Sequence, residues 1–146
     1  MEENTPIPLP DNKPKRPTLL SVLCILTFIG SGINLFSSLI ISLFYDQFLQ
    51  VIASINETLQ IPGIEMIEEA KAIFFAVSAV IYAGSIVGAI MMWNLKKTGF
   101  HIYSIFQILL VISPMYFFHL QYPSFVDVLL SGIFVILYST NLKHMS

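Results

Sequence analysis

The sequence predicts an all-α, polytopic membrane protein: a bundle of four transmembrane helices with both termini on the cytoplasmic side. Three observations predict it. The 146 residues are 55% hydrophobic and 11% charged, with a mean hydropathy of +0.78. A soluble domain carries about 25% charged residues, so a water-exposed globule of this composition would lack the polar side chains to cover its surface. The apolar residues fall into long charge-free stretches. The few lysines and arginines fall between those stretches rather than within them.

A helix needs about 20 apolar residues to cross a hydrocarbon core of about 30 Å. The stretches 19–44 and 72–95 carry no charge, 98–120 is a third, and 124–142 a fourth, interrupted only by Asp127. The third and fourth are divided at "HLQYPS" (His119 to Ser124), where Pro123 disfavours helical geometry at the residue before it. Lipid offers backbone groups no hydrogen bonds, so each span is expected to be helical. The first span is too long and too late in the chain for a cleaved signal peptide, and no small-x-small site follows it.

Orientation follows from the basic residues of the short connections. Lys13, Lys15 and Arg16 precede the first span, Lys96 and Lys97 separate the second from the third, and Lys143 follows the fourth. Four spans place all six on one side, against Lys71 alone on the other. That side is expected to be cytoplasmic. Trp93 suits the headgroup region there, as do Phe100 and Tyr103, with Tyr45, Tyr116 and Tyr122 at the opposite boundary.

The segments outside the spans differ in kind. Residues 1–17 hold five prolines and are expected to form a disordered cytoplasmic tail. Residues 143–146 form a short cytoplasmic tail. The connection 46–71 is amphipathic: Phe48, Val51, Ile52, Ile55 and Leu59 recur at helical spacing. It is also acidic, with Asp46, Glu57, Glu65, Glu68 and Glu69 against Lys71. The first helix is expected to continue into it, "IPG" (Ile61 to Gly63) to break it, and "IEMIEEAK" to lead into span two. An acidic polar face fits a membrane surface poorly, so this segment is expected to pack on its own bundle or on a partner.

The residues that bear chemistry are few. The single cysteine, Cys24, excludes an intrachain disulfide and a thiolate zinc cage. His101, His119 and His144 lie at unmatched depths, so no haem or metal site is expected. No G-x-S-x-G, phosphate loop or dinucleotide motif is present, and no basic patch suits nucleic acid. No cofactor and no enzymatic activity are therefore expected. Asp127 is the one carboxylate within a span, and "SFVD" (Ser124 to Asp127) has the form of a capping box at the start of span four. Capping is the primary reading of Asp127 and a proton relay the alternative, with His119 across the turn as its possible ionisable partner.

Helix packing leaves clearer marks. Span two holds "AVSAVIYAGSIVGA" (Ala76 to Ala89), where Gly84 and Gly88 form G-x-x-x-G and permit close backbone approach. The expectation is packing inside one chain, with dimerisation as the alternative. Asn34 in span one and Gln107 in span three are expected to form interhelical hydrogen bonds, and Pro114 to kink span three.

"RPTLLSVLCILTFIGSGINL" (Arg16 to Leu35) and "WNLKKTGFHIY" (Trp93 to Tyr103) resemble the opening stretch and the cytoplasmic turn of small, uncharacterised four-pass bacterial membrane proteins. The resemblance implies the bacterial inner (cytoplasmic) membrane, and brings no activity or functional residues with it. The expected function is that of a non-enzymatic scaffold or accessory subunit, partnered by the lipid bilayer and by a membrane protein or a second copy of the chain. The alternative is a small oligomeric transporter or channel, which the lack of a carboxylate in mid-bundle argues against.

Overall fold

A computed structural model describes residues 15–62 and 64–146. The tail as far as Pro14, with Lys13, and Gly63 lie outside the described residues. Among those described there is no strand. The chain forms α1 (Thr18–Leu43), α2 (Tyr45–Leu59), α3 (Ile64–Glu69), α4 (Ala72–Trp93), α5 (Lys97–Phe118) and α6 (Phe125–Thr140), followed by a 3-10 turn at Leu142–His144. The helices α1, α4, α5 and α6 with its turn are long and apolar enough to cross a membrane, with mean hydropathies from 1.5 to 2.2. The protein is a multi-pass membrane protein, and the predicted spans agree with these helices to within one turn.

The helices bury the face that their sequences make least greasy. The buried stripe of α1 is Leu20, Leu23, Cys24, Thr27, Ser31 and Ser38, a spacing of three and four residues that stays on one face. The other face presents Val22, Ile25, Ile29, Ile33 and Phe36. In water such a surface would drive aggregation; in lipid it is the solvated face. On α4 the buried residues include Ser78, Ala79, Ser85, Gly88 and Ala89. Small side chains let α4 lie between α1 and α5 and pack against both along its length, whereas α6 rests chiefly on α5 and touches α1 at few points. Tyr138 is the only buried residue of α6.

Successive spans run antiparallel, which separates two ends of opposite charge. At the basic end the Arg16 guanidinium lies 3.8 Å from the centre of the Trp93 ring, where a cation meets the negative face of the indole. The Ser146 N–H donates to the Leu95 carbonyl at 2.8 Å, and the Lys97 N–H donates to that of Ser146 at 3.0 Å. Lys96 and Lys97, the cap and first residue of α5, lie here, as does Lys143. The dry core of Leu20, Leu23, Cys24, Met92, Tyr103, Tyr138 and Met145 is packed at this end. At the acidic end, reached by α2 and α3, the Phe74 ring meets Phe117 and Phe118 at 5.3 and 5.0 Å.

The connection between the first two spans departs from its sequence reading in two respects, the break at Phe44 and the end of α3. The helix breaks at Phe44 (φ −115°, ψ 40°), although the Phe48 N–H still donates to the Phe44 carbonyl at 2.9 Å, so α2 follows after a single irregular residue. It ends at "IPG" as expected: Gln60, just before Ile61, adopts a left-handed conformation (φ 45°) and its N–H donates to the Asn56 carbonyl. The helix α3 does not run into span two. Ala70 is buried, and its carbonyl accepts a hydrogen bond from the Tyr45 hydroxyl. That bond ties the segment back to the start of α2, and Lys71 is extended (φ −75°, ψ 152°). Of the predicted apolar face, Phe48, Ile52 and Ile55 are half-buried, while Val51 and Leu59 are exposed. Phe48 meets the Phe75 ring edge-on at 5.7 Å, so this segment packs partly on the bundle.

Candidate functional site: a polar cavity shared by four spans

Each span turns one polar stripe inward, and the four stripes meet around a cavity of about 370 Å³. From α1 come Thr27, Gly30, Ser31 and Asn34; from α4, Phe74, Ser78 and Tyr82. From α5 come Tyr103, Gln107, Leu110, Ser113 and Pro114, and from α6, Asp127, Leu130, Ser131 and Phe134, with Leu26 completing the wall. The spacing within each set is three or four residues, one face of each helix. The cavity follows from packing. The tight contacts of α4 fix α1 and α5, but α6 is held mainly by α5, and the space it leaves towards α1 is filled by no large side chain.

The floor is at the basic end. The hydroxyls of Thr27 and Tyr138 share a 2.8 Å hydrogen bond between α1 and α6. The Tyr138 ring packs edge-on against Tyr103 at 4.9 Å. Below them lies the dry core. Midway, the Ser131 hydroxyl donates to Gln107 Oε1 at 2.9 Å and ties α6 to α5; such bonds stabilise membrane bundles by about 0.6–2 kcal/mol. On the far side of that bond an apolar groove of about 320 Å³ runs between α5 and α6, so the seam between these two helices is held at few points.

One side chain along the α5 wall is left without a partner, and one backbone carbonyl loses its usual donor. Ser113 is 8% exposed and its hydroxyl makes no hydrogen bond. Pro114, the next residue, has no N–H, so the Leu110 carbonyl loses the donor a helix would supply. An unpaired buried hydroxyl costs about 1–3 kcal/mol; Ser113 lines the cavity, as does Leu110.

Asp127 stands at the acidic end, in the first turn of α6. The capping-box reading is corrected: the Ser124 side chain makes no cap hydrogen bond, and Asp127 lines the cavity. Asp127 is exposed, so it borders the cavity at the acidic end rather than in mid-bundle. No Lys, Arg or His side chain lines the cavity among the described residues. His119, considered as a partner for Asp127, serves elsewhere. It ends α5 in a left-handed conformation (φ 50°), its N–H donating to the Met115 carbonyl, and it is not part of the cavity wall.

The remaining candidates divide. Gly84 and Gly88 face α5 within the same chain: a β-carbon at Gly84 would strike the Phe106 ring, and one at Gly88 would lie 2.8 Å from the Tyr103 nitrogen. Gln107 makes the interhelical bond expected of it. Asn34 does not: its Nδ2 donates at 2.8 Å to the Gly30 carbonyl of its own helix, because a side chain at i can reach the carbonyl at i−4 without any second helix. Sequence reading passed over Thr27, Ser31, Ser78, Tyr82, Ser113 and Ser131 one by one. The signal was their period, since Thr27, Ser31 and Asn34 repeat at helical spacing. Among the described residues no three His, Cys, Asp or Glu side chains gather to hold a metal ion. Compared with family models, curated proteins and solved structures, the chain matches none.

Proposed function

We propose that this is a small transporter of the bacterial inner membrane, with both termini cytoplasmic, that binds a small solute in the cavity between its four spans. One observation carries the reading: hydroxyl, amide and carboxylate groups from every span converge on one space. Polar groups within a bilayer are costly and cluster along substrate and ion pathways. A volume near 370 Å³ lies within the range of small-molecule sites, about 300–1,000 Å³. Asp127 gives the cavity a carboxylate at its acidic end, and no Asp or Glu lines it in mid-bundle among the described residues. The orientation rests on the basic residues gathered at one end, and the bacterial membrane on the resemblance of Arg16 to Leu35 and Trp93 to Tyr103.

Cysteine reactivity tests it. In a Cys24→Ser background, Ser131→Cys should react with a small, water-soluble thiol reagent, because a solute pathway must admit water. Ile105→Cys, on an exposed apolar face, should not, because lipid covers it. An unreactive Ser131→Cys in folded protein would sink the reading.

The scaffold or accessory-subunit reading has one observation in its favour. The helix α6 exposes Phe125, Val126, Leu129, Ile133 and Ile136 and borders the apolar groove on α5, a face that a partner span would cover. Co-purification of a stoichiometric membrane protein, lost on Ile133→Trp, would favour it.

A further inference from the structure

We infer that the solute taken by this cavity is a small organic cation, an amphipathic ammonium; the inference rests on the transporter reading. The cavity wall carries one formal charge, that of Asp127, and no basic side chain among the described residues. Asp127 is exposed at the acidic end of that space, and a carboxylate with no basic neighbour in the wall attracts a cation that enters. A neutral solute would leave Asp127 unpaired, and an anion would be repelled by it. The other walls suit the body of such a ligand. Phe74, Tyr82, Tyr103 and Phe134 line the cavity, and aromatic faces attract cations. Leu110 and Leu130 would receive an apolar tail. An ammonium N–H also needs acceptors, which the Ser113 hydroxyl and the Leu110 carbonyl supply.

A second observation, independent of the cavity wall, favours the same sign of charge. The end where Asp127 sits is also the end of α2 and α3, which carry Asp46, Glu57, Glu65, Glu68 and Glu69. Lys71, at the start of α4, is the one basic residue in that connection. Charge of one sign gathered at one end of the bundle raises the local concentration of the opposite ion there.

The test compares three probes of similar size and shape on the purified full-length protein in lipid nanodiscs: 2-phenylethylammonium, neutral 2-phenylethanol and anionic 3-phenylpropanoate. The cation should bind at least about tenfold more tightly than either other probe, a difference of about 1.4 kcal/mol. Asp127→Asn should abolish that preference and Asp127→Glu should retain part of it. Should Asp127→Asn fail to fold, Ser131→Cys in the Cys24→Ser background replaces it: its thiol should react faster with a cationic than with a neutral methanethiosulfonate, and 2-phenylethylammonium should protect it. Equal binding of the cation and the alcohol, or no binding of the cation by protein whose Ser131→Cys thiol reacts freely, overturns the inference and leaves the wet cavity standing. An unreactive thiol in folded protein overturns both.

Discussion

Gly99, at the start of α5, is seated against Gly88 of α4: a β-carbon built at Gly99 would lie 2.6 Å from the Gly88 carbonyl oxygen and 2.7 Å from the Met92 nitrogen. The contact is reciprocal, since a β-carbon at Gly88 would meet the backbone of Tyr103. The two helices touch backbone to backbone near the basic end, and small residues make that possible.

This geometry ranks three substitutions. Alanine at Gly88 or Gly99 pushes a methyl group into backbone atoms, which yield only if the helices part. Alanine at Gly84 meets the ring of Phe106, a side chain that can turn aside. Gly88→Ala and Gly99→Ala should each lower stability by about 1–3 kcal/mol, the usual cost of overpacking, and Gly84→Ala by less. Thermal unfolding in detergent reads the order. A larger loss at Gly84 than at Gly88 would show that the α4–α5 crossing lies elsewhere.

The start of α6 supplies a second prediction. A capping serine lost to alanine costs about 0.5–2 kcal/mol. The Ser124 side chain makes no such bond, so Ser124→Ala should change stability by less than about 0.5 kcal/mol. Asp127→Asn should cost only its favourable meeting with the helix dipole, about 0.3–1 kcal/mol. A loss at Ser124 as large as a true cap would restore the capping box and weaken the assignment of Asp127 to the cavity.

Topology is testable without any knowledge of activity. With Lys15, Arg16, Lys96, Lys97 and Lys143 at one end, single cysteines at Thr98 and Ser146 in the Cys24→Ser background should resist impermeant thiol reagents in intact cells. A cysteine at Gln60, between α2 and α3, should label. External labelling at Thr98 would reverse the orientation.

The spans were legible in the sequence because hydropathy is a property of each stretch alone: the charge-free runs from Leu19 and from Ala72 became α1 and α4 almost residue for residue. The G-x-x-x-G face was also legible, because small residues at a fixed spacing have few other uses. Gly99 was not, since its partner lies on another helix and a lone glycine beside two lysines reads as part of a turn. The cavity was hidden for a related reason. Each of Thr27, Ser78, Tyr103 and Ser131 is ordinary within its own span, and their convergence depends on how four helices rotate about their axes, which hydropathy does not encode. Asn34 misled in the opposite direction, because an amide in a span suggests a partner helix although its own turn can satisfy it.

The floor of the cavity gives the last prediction. The Tyr138 hydroxyl bonds Thr27, while its ring is fully buried and packs on Tyr103 and, at 6.5 Å, on Phe134. Tyr138→Phe removes the bond and keeps the ring. Thr27 also lines the cavity. If the cavity holds water, its hydroxyl finds a new partner there, and the loss should stay below about 1 kcal/mol; in a dry cavity the unpaired hydroxyl would cost about 1–3 kcal/mol. Tyr138→Ala removes the ring as well, which costs about 3–5 kcal/mol for a buried aromatic and takes away the barrier between the cavity and the basic end. A cysteine at Ser131 in the Cys24→Ser background should then react in inside-out vesicles, where it is shielded with Tyr138 in place. The Phe variant should keep that shield, because the ring and not the hydroxyl fills the space. Equal labelling with Tyr, Phe and Ala at position 138, in protein that remains folded, would show that the barrier lies in the core beneath, at Leu20, Leu23 and Met92, and that the tyrosine floor does not close the cavity.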